Sequence, residues 1–150
     1  KVTMSIIKQL EQKIGEDLTP INVEDAFDEM LDECYSFKSV GGPFEGMSPS
    51  RVLREVDPVA HRCGVNDYTD SRRDEWIEVG GDYFSRDEVK EVRDELMGEI
   101  DDKIAEVEAK IEVLKGEAEG DGEEVEEKLP ELESELETLN EQRSELWDYV

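Results

Sequence analysis

The sequence predicts an α+β fold. A small body of short helices and two β-hairpins occupies residues 1–85, and a C-terminal antiparallel helical hairpin, coiled-coil-like and acidic, occupies residues 86–150 and packs on the body at its base. Three observations lead there. First, Met97, Ile100, Ile104, Val107, Ile111 and Leu114 recur at alternating three- and four-residue steps, as do Val125, Leu129, Leu132, Leu136, Leu139, Leu146 and Val150, with Arg143 in one slot. That spacing lines one edge of each helix with apolar groups. Second, Gly41-Gly42 and Gly80-Gly81 each sit between short β-branched and aromatic runs, which is hairpin chemistry. Third, eight of the ten aromatic residues fall between Phe27 and Phe84, and the other two are Trp147 and Tyr149. A helix that returns to the base of the arm explains this gap and predicts that Trp147 is shielded by the body.

Residues 3–14 form a short amphipathic helix with Ile6, Ile7, Leu10 and Ile14 on one side, closed by Gly15 and Pro20. Asn22 is a helix cap, with Asp25 three positions on. Val23, Ala26, Phe27, Met30, Leu31, Cys34 and Tyr35 follow at helical period and are expected to line the core. Phe37 to Met47 reads as the first hairpin. Ser48-Pro49 is a cap followed by a first-turn proline, so a helix begins there and stops before Pro58. Asp57-Pro58 repeats the device for a short helix closed by Gly64, and Asn66 caps another through about Arg73. Trp76 to Phe84 is the second hairpin. Ser85 with Glu88 is a capping box opening the first long helix. The two hairpin-cap-helix units either descend from a duplication or converge on one turn device. Pro130 suits a first turn and not an interior, so the return helix is expected to start near Leu129.

Leu, Ile, Val and Phe make up 37 of 150 residues, enough for a core. The net charge of −26 is far outside the usual range and opposes compaction. Residues 86–150 carry 25 Asp and Glu against eight Lys and Arg, while five of the eight arginines, Arg51, Arg54, Arg62, Arg72 and Arg73, lie in the middle segment. Such acidity argues against nucleic acid or a membrane surface as direct partner and favours basic proteins. No apolar run reaches the roughly 18 residues of a membrane span. No signal-peptide pattern opens the chain, so the expected location is cytoplasmic. Cys34 and Cys63, without a CxxC pair, read as two buried thiols in a reducing compartment.

Little in the sequence names a reaction. His61, the only histidine, has no nucleophile pattern beside it and reads as a satisfied structural residue. Asp121-Gly122-Glu123-Glu124 lacks the alternating ligands of a calcium loop. Neither a P-loop nor GxGxxG is present. The arginines of the middle segment read as paired with neighbouring carboxylates. No catalytic residue, metal site or cofactor is expected, and the protein is read as not an enzyme.

The acidic arm holds the informative pattern. Glu123, Glu127, Glu131 and Glu135 are spaced by four, as are Glu133, Glu137, Glu141 and Glu145. Like charges at that spacing destabilise a helix by about 0.2–0.5 kcal/mol per pair. Glu-to-Lys pairs of the favourable kind, such as Glu99–Lys103 and Glu106–Lys110, are fewer. Either high salt screens the repulsion, or the negative face is itself the product, an imitation of nucleic-acid charge for a basic groove.

Residues 49–68, Pro-Ser-Arg-Val-Leu-Arg-Glu-Val-Asp-Pro-Val-Ala-His-Arg-Cys-Gly-Val-Asn-Asp-Tyr, together with Met30 to Tyr35, resemble a group of small acidic accessory proteins of tailed viruses of prokaryotes. The likeness spans roughly Asp25 to Phe84; His61 and Val65 stand where that group more often has aromatic residues. It implies a viral protein of the host cytoplasm and supplies no activity. With the acidic arm, the expectation is a non-enzymatic inhibitor of a basic, nucleic-acid-handling host protein or nuclease complex, of the anti-CRISPR or anti-restriction type. Its partner-binding residues would be Glu123, Glu127, Glu131, Glu133, Glu135, Glu137, Glu141 and Glu145. The alternative is a viral assembly protein that oligomerises through the heptad seams.

Overall fold

The computed structural model describes residues 4–117 and 122–150, with the side chains of Glu117, Glu123 and Glu124 left out. The described chain is mostly helical: α1 (Ile6–Asp17), α2 (Val23–Cys34), α3 (Pro49–Val56), α4 (Pro58–Ser71), β1 (Trp76–Val79), β2 (Asp82–Ser85), α5 (Arg86–Glu117) and α6 (Gly122–Tyr149). It divides into two compact units, one of residues 18–86 and one of residues 1–17 with 87–150.

In the unit of residues 18–86 the helix starts are set by local side-chain chemistry. Asn22 Oδ1 accepts the amide of Asp25 at 3.1 Å, Ser48 Oγ that of Arg51 at 3.4 Å, and Asp57 Oδ1 that of Ala60 at 3.0 Å. Each satisfies a donor that the first turn leaves open. Pro49 and Pro58 stand in the first turn of α3 and α4, where no amide is required. Phe27 of α2 is buried against α4, edge-on to His61 with ring centroids 5.5 Å apart and tilted to Tyr68 at 5.9 Å. α4 runs unbroken through Gly64 and Asn66, so the expected helix end and new cap there are corrected. Gly64 is instead a close-approach glycine: a Cβ at that position would lie 2.5 Å from Cζ of Phe27.

β1 and β2 pair antiparallel in the register Trp76 with Ser85, Ile77 with Phe84, Glu78 with Tyr83 and Val79 with Asp82. The turn between them needs positive φ twice, and Gly80 and Gly81 supply 61° and 89°. The other expected hairpin does not form. Gly41 and Gly42 also have positive φ, yet residues 42–44 make a single 3-10 turn and their flanks hold no strand. Pro43 brings no amide to a ladder, and the neighbouring donors are satisfied locally, Val40 on Phe37 and Met47 on Phe44, both at 3.0 Å. Val40 and Phe44 also stay exposed, so a sheet there would have had no face to bury. Cys34 and Cys63 are exposed free thiols, against the expectation of burial.

In the other unit α1 joins the long helices and not the body to which the sequence assigned it. Its buried residues Ile6, Leu10 and Ile14 follow a four-residue step, α1 packs on α6, and Lys13 reaches Glu95 and Glu99 of α5 at 3.7 Å each. α5 and α6 pack against each other with contacts in reverse order: Arg93 of α5 meets Val150 and Asp101 meets Arg143. Arg143, the polar group in the seam, is thus held by a partner, its Nε 2.6 Å from Asp101 Oδ1. α6 passes through Pro130 without interruption, earlier than the start expected near Leu129. Trp147 is 62% exposed, so its expected shielding is also corrected; the guanidinium of Arg93 lies 5.4 Å over its ring.

Candidate partner-binding face on the long helices

α6 carries eleven Asp and Glu against two Lys and Arg in 28 residues. Its apolar residues are drawn to α5 and α1, with Leu139 and Leu146 buried, which turns the carboxylates outward. Glu131 and Glu135 flank the seam on one side and Glu133 and Glu137 on the other, with Glu127, Glu141 and Glu145 on the face away from it; all seven are exposed. The side chain of Glu123 lies outside the described residues. The seven differ from the carboxylates of α5, several of which hold cations: Asp87 with Lys90, Glu95 and Glu99 with Lys13, Asp101 with Arg143, Glu106 with Lys110. Among the described residues, none of the seven makes an ion pair. Four residues of helix rise about 6 Å, so each row presents a carboxylate at roughly that interval.

The grooves along this pair are not alike. One, of about 630 Å³, has an apolar floor of Ala109, Val113, Leu114 and Leu132, with Glu106, Lys110, Lys128 and Glu131 at its rim. Two others lie across the seam, one against Glu108, Glu112 and Leu136 and the next against Glu133, Glu137 and Glu141, and neither is lined by a lysine or arginine.

At the α1 end, Arg93 is buried, donating to the Val150 carbonyl at 3.1 Å and to Asp94. Burial pushes the Tyr149 phenol above its usual pKa near 10, and the carboxylate of Glu11 pushes it further.

The unit of residues 18–86 holds a polar network that the sequence does not announce. His61 is 5% exposed and its Nε2 lies 2.7 Å from Asp28 Oδ1; the other Asp28 oxygen accepts from Arg54, which also approaches Glu24 at 3.5 Å. One turn along α2, Asp32 accepts both the amide and the hydroxyl of buried Ser50, at 3.0 and 2.8 Å. Glu24, Asp28 and Asp32 at four-residue steps face Ser50 and Arg54 at the same step, and that matching was the available signal. Ser50 bonds Asp32 and His61 bonds Asp28, so no Ser-His-Asp relay is assembled; the network joins α2, α3 and α4. The expected pairing of arginines holds for Arg51 with Glu55, Arg72 with Glu75 and Arg73 with Asp70. Among the described residues no group of three or more His, Cys, Asp or Glu is placed to hold a metal ion, and no helix is long and apolar enough to cross a membrane.

These residues define a mostly helical protein with an acidic helical pair. No family model matches the sequence, and no curated protein or solved structure matches it either.

Proposed function

We propose that this protein is a non-enzymatic inhibitor that engages a basic, nucleic-acid-handling protein through the carboxylates of α6. In this reading α5 and α6 form an antiparallel, coiled-coil-like hairpin, and the protein belongs to the anti-CRISPR or anti-restriction type that viruses of prokaryotes use in the host cytoplasm. The observation that carries it is the set of seven exposed α6 carboxylates, unpaired among the described residues. The net nine negative charges of α6 fall along a helix of about 42 Å, roughly one per 5 Å, against about one per 3.4 Å on one strand of B-DNA. A groove built for a phosphate backbone would meet comparable charge on a rigid rod, and would release its own counterions on binding.

The test is a DNA-cleavage assay against a panel of CRISPR effector nucleases and restriction endonucleases. Inhibition of at least one enzyme is expected, relieved by excess duplex and weakened between about 50 and 200 mM salt. Replacing Glu133, Glu137, Glu141 and Glu145 together with Lys should abolish it. Inhibition that survives this reversal would rule out the α6 face.

A further inference from the structure

We propose that the groove lined by Ala109, Val113, Leu114 and Leu132 is a self-association surface, covered by the same groove of a second copy of this chain. Burial changes along the long helices. At one end α1 supplies a third helix, and Leu10, Ile14 and Leu146 are fully buried. Farther along, among the described residues, no third helix covers the pair. There Leu114, Val125, Leu129, Leu132 and Leu136 are only half-buried, and Val113 is 59% exposed. Two helices cannot enclose an apolar stripe; each needs a further layer against it.

Charge decides the nature of that further layer. In a chain of net charge −26 this groove has a balanced rim: Lys110 and Lys128 stand with Glu106 and Glu131. Lys110 pairs with Glu106 at 3.6 Å on its own helix. Such an exposed pair is weak and can exchange partners. A two-fold axis through the groove sets the same patch against itself, so that the rim lysines of one copy meet the rim glutamates of the other, over a shared apolar floor. The grooves across the seam cannot do this, because Glu108, Glu112, Glu133, Glu137 and Glu141 would face their own like. The two kinds of groove share Ala109 on α5 but otherwise draw on different residues, Glu106, Lys110 and Val113 against Glu108 and Glu112 on α5, and Lys128, Glu131 and Leu132 against Glu133, Glu137 and Glu141 on α6. Self-association through the balanced groove therefore leaves the Glu133–Glu145 row free, and the dimer presents that row twice.

The two contacts respond oppositely to salt. Binding of a basic partner weakens as salt rises, whereas two acidic arms approach more readily when their repulsion is screened. The experiment is sedimentation velocity of the full chain across a concentration series, at low salt and at 1 M NaCl. A dimer, twice the 17.2 kDa chain, is expected, with its dissociation constant falling at high salt. Val113→Glu, at an exposed position, should raise that constant at least tenfold with unchanged helical circular dichroism. Glu137→Lys, across the seam, should not raise it. A monomer at every concentration and salt would overturn the proposal, as would a dimer indifferent to Val113→Glu or a higher oligomer. None of these results touches the inhibitor reading, which fails only in the cleavage assay.

Discussion

Gly64 shows at the level of one residue how context reverses a propensity. In the middle of a helix, glycine to alanine normally stabilises by about 1 kcal/mol. Here the added methyl would meet the buried Phe27 ring at 2.5 Å, and overpacking of that kind costs about 1–3 kcal/mol. Gly64→Ala should therefore lower the urea midpoint with little change in slope; a higher midpoint would mean that the ring moves aside freely. Tyr149 gives a second residue-scale expectation. Its folded-state pKa is raised, by burial first and by Glu11 second. The contribution of this group is thus complete below the unfolded value near 10 and is lost as pH rises through the folded value. Melting temperature should fall more steeply with rising pH above about 10 in the wild type than in Tyr149→Phe. Equal falls would place the alkaline sensitivity elsewhere. Neither effect was legible in the sequence, where Gly64 reads as a helix end and Tyr149 as one more terminal aromatic, because each depends on a partner distant along the chain. The α6 carboxylates were legible, since exposure follows from their place relative to the apolar seam. The bonds of His61, Asp28 and Arg54 were not, since they join three helices.

The elements were legible where their cause is local. Asn22, Ser48 and Asp57 cap helices through amides three residues away, so short windows of sequence suffice. The two Gly-Gly turns show where local information stops. Both place two successive glycines at positive φ, but Gly41, with ψ −177°, is off hairpin-turn geometry, and only Gly80-Gly81 has flanks that bury a face, with Val79 and Phe84 inside. Pro130 errs the other way: one missing amide does not stop a 28-residue helix. The assignment of α1 needed tertiary knowledge, because an apolar stripe says that a helix packs without naming its neighbour. It also sets the energetics of the long helices. Leu10→Ala, at a site 0% exposed, should cost about 2–5 kcal/mol, as an enclosed leucine does. Leu136→Ala, at a half-buried site where solvent can fill the gap, should cost less than about 2 kcal/mol. Denaturant midpoints of the two variants decide it, and equal losses would mean that α1 is not part of the core of its unit.

At the scale of the whole molecule the question is whether −26 is merely tolerated or is used, and stability and binding should then move in opposite directions. Glu133, Glu137, Glu141 and Glu145 form three successive like-charge pairs one turn apart on an exposed face. Replacing Glu137 and Glu145 with Lys turns all three into opposite-charge pairs and moves the net charge from −26 to −22. Removing a repulsion and adding an attraction of about 0.2–0.5 kcal/mol each, three times over, predicts a gain of roughly 1–3 kcal/mol. Since these charges lie in solvent, the gain should shrink at 1 M salt, where screening acts within about 3 Å. If the acidic row is a binding face, the same double variant should inhibit its target nuclease less than the wild type does at low salt. A row that served solubility alone would gain the stability and lose nothing. Thermal melts at low and high salt, run beside the cleavage assay, read both quantities on the same two proteins. A double variant that is more stable and inhibits as well as the wild type would leave the acidity of α6 without a role in recognition.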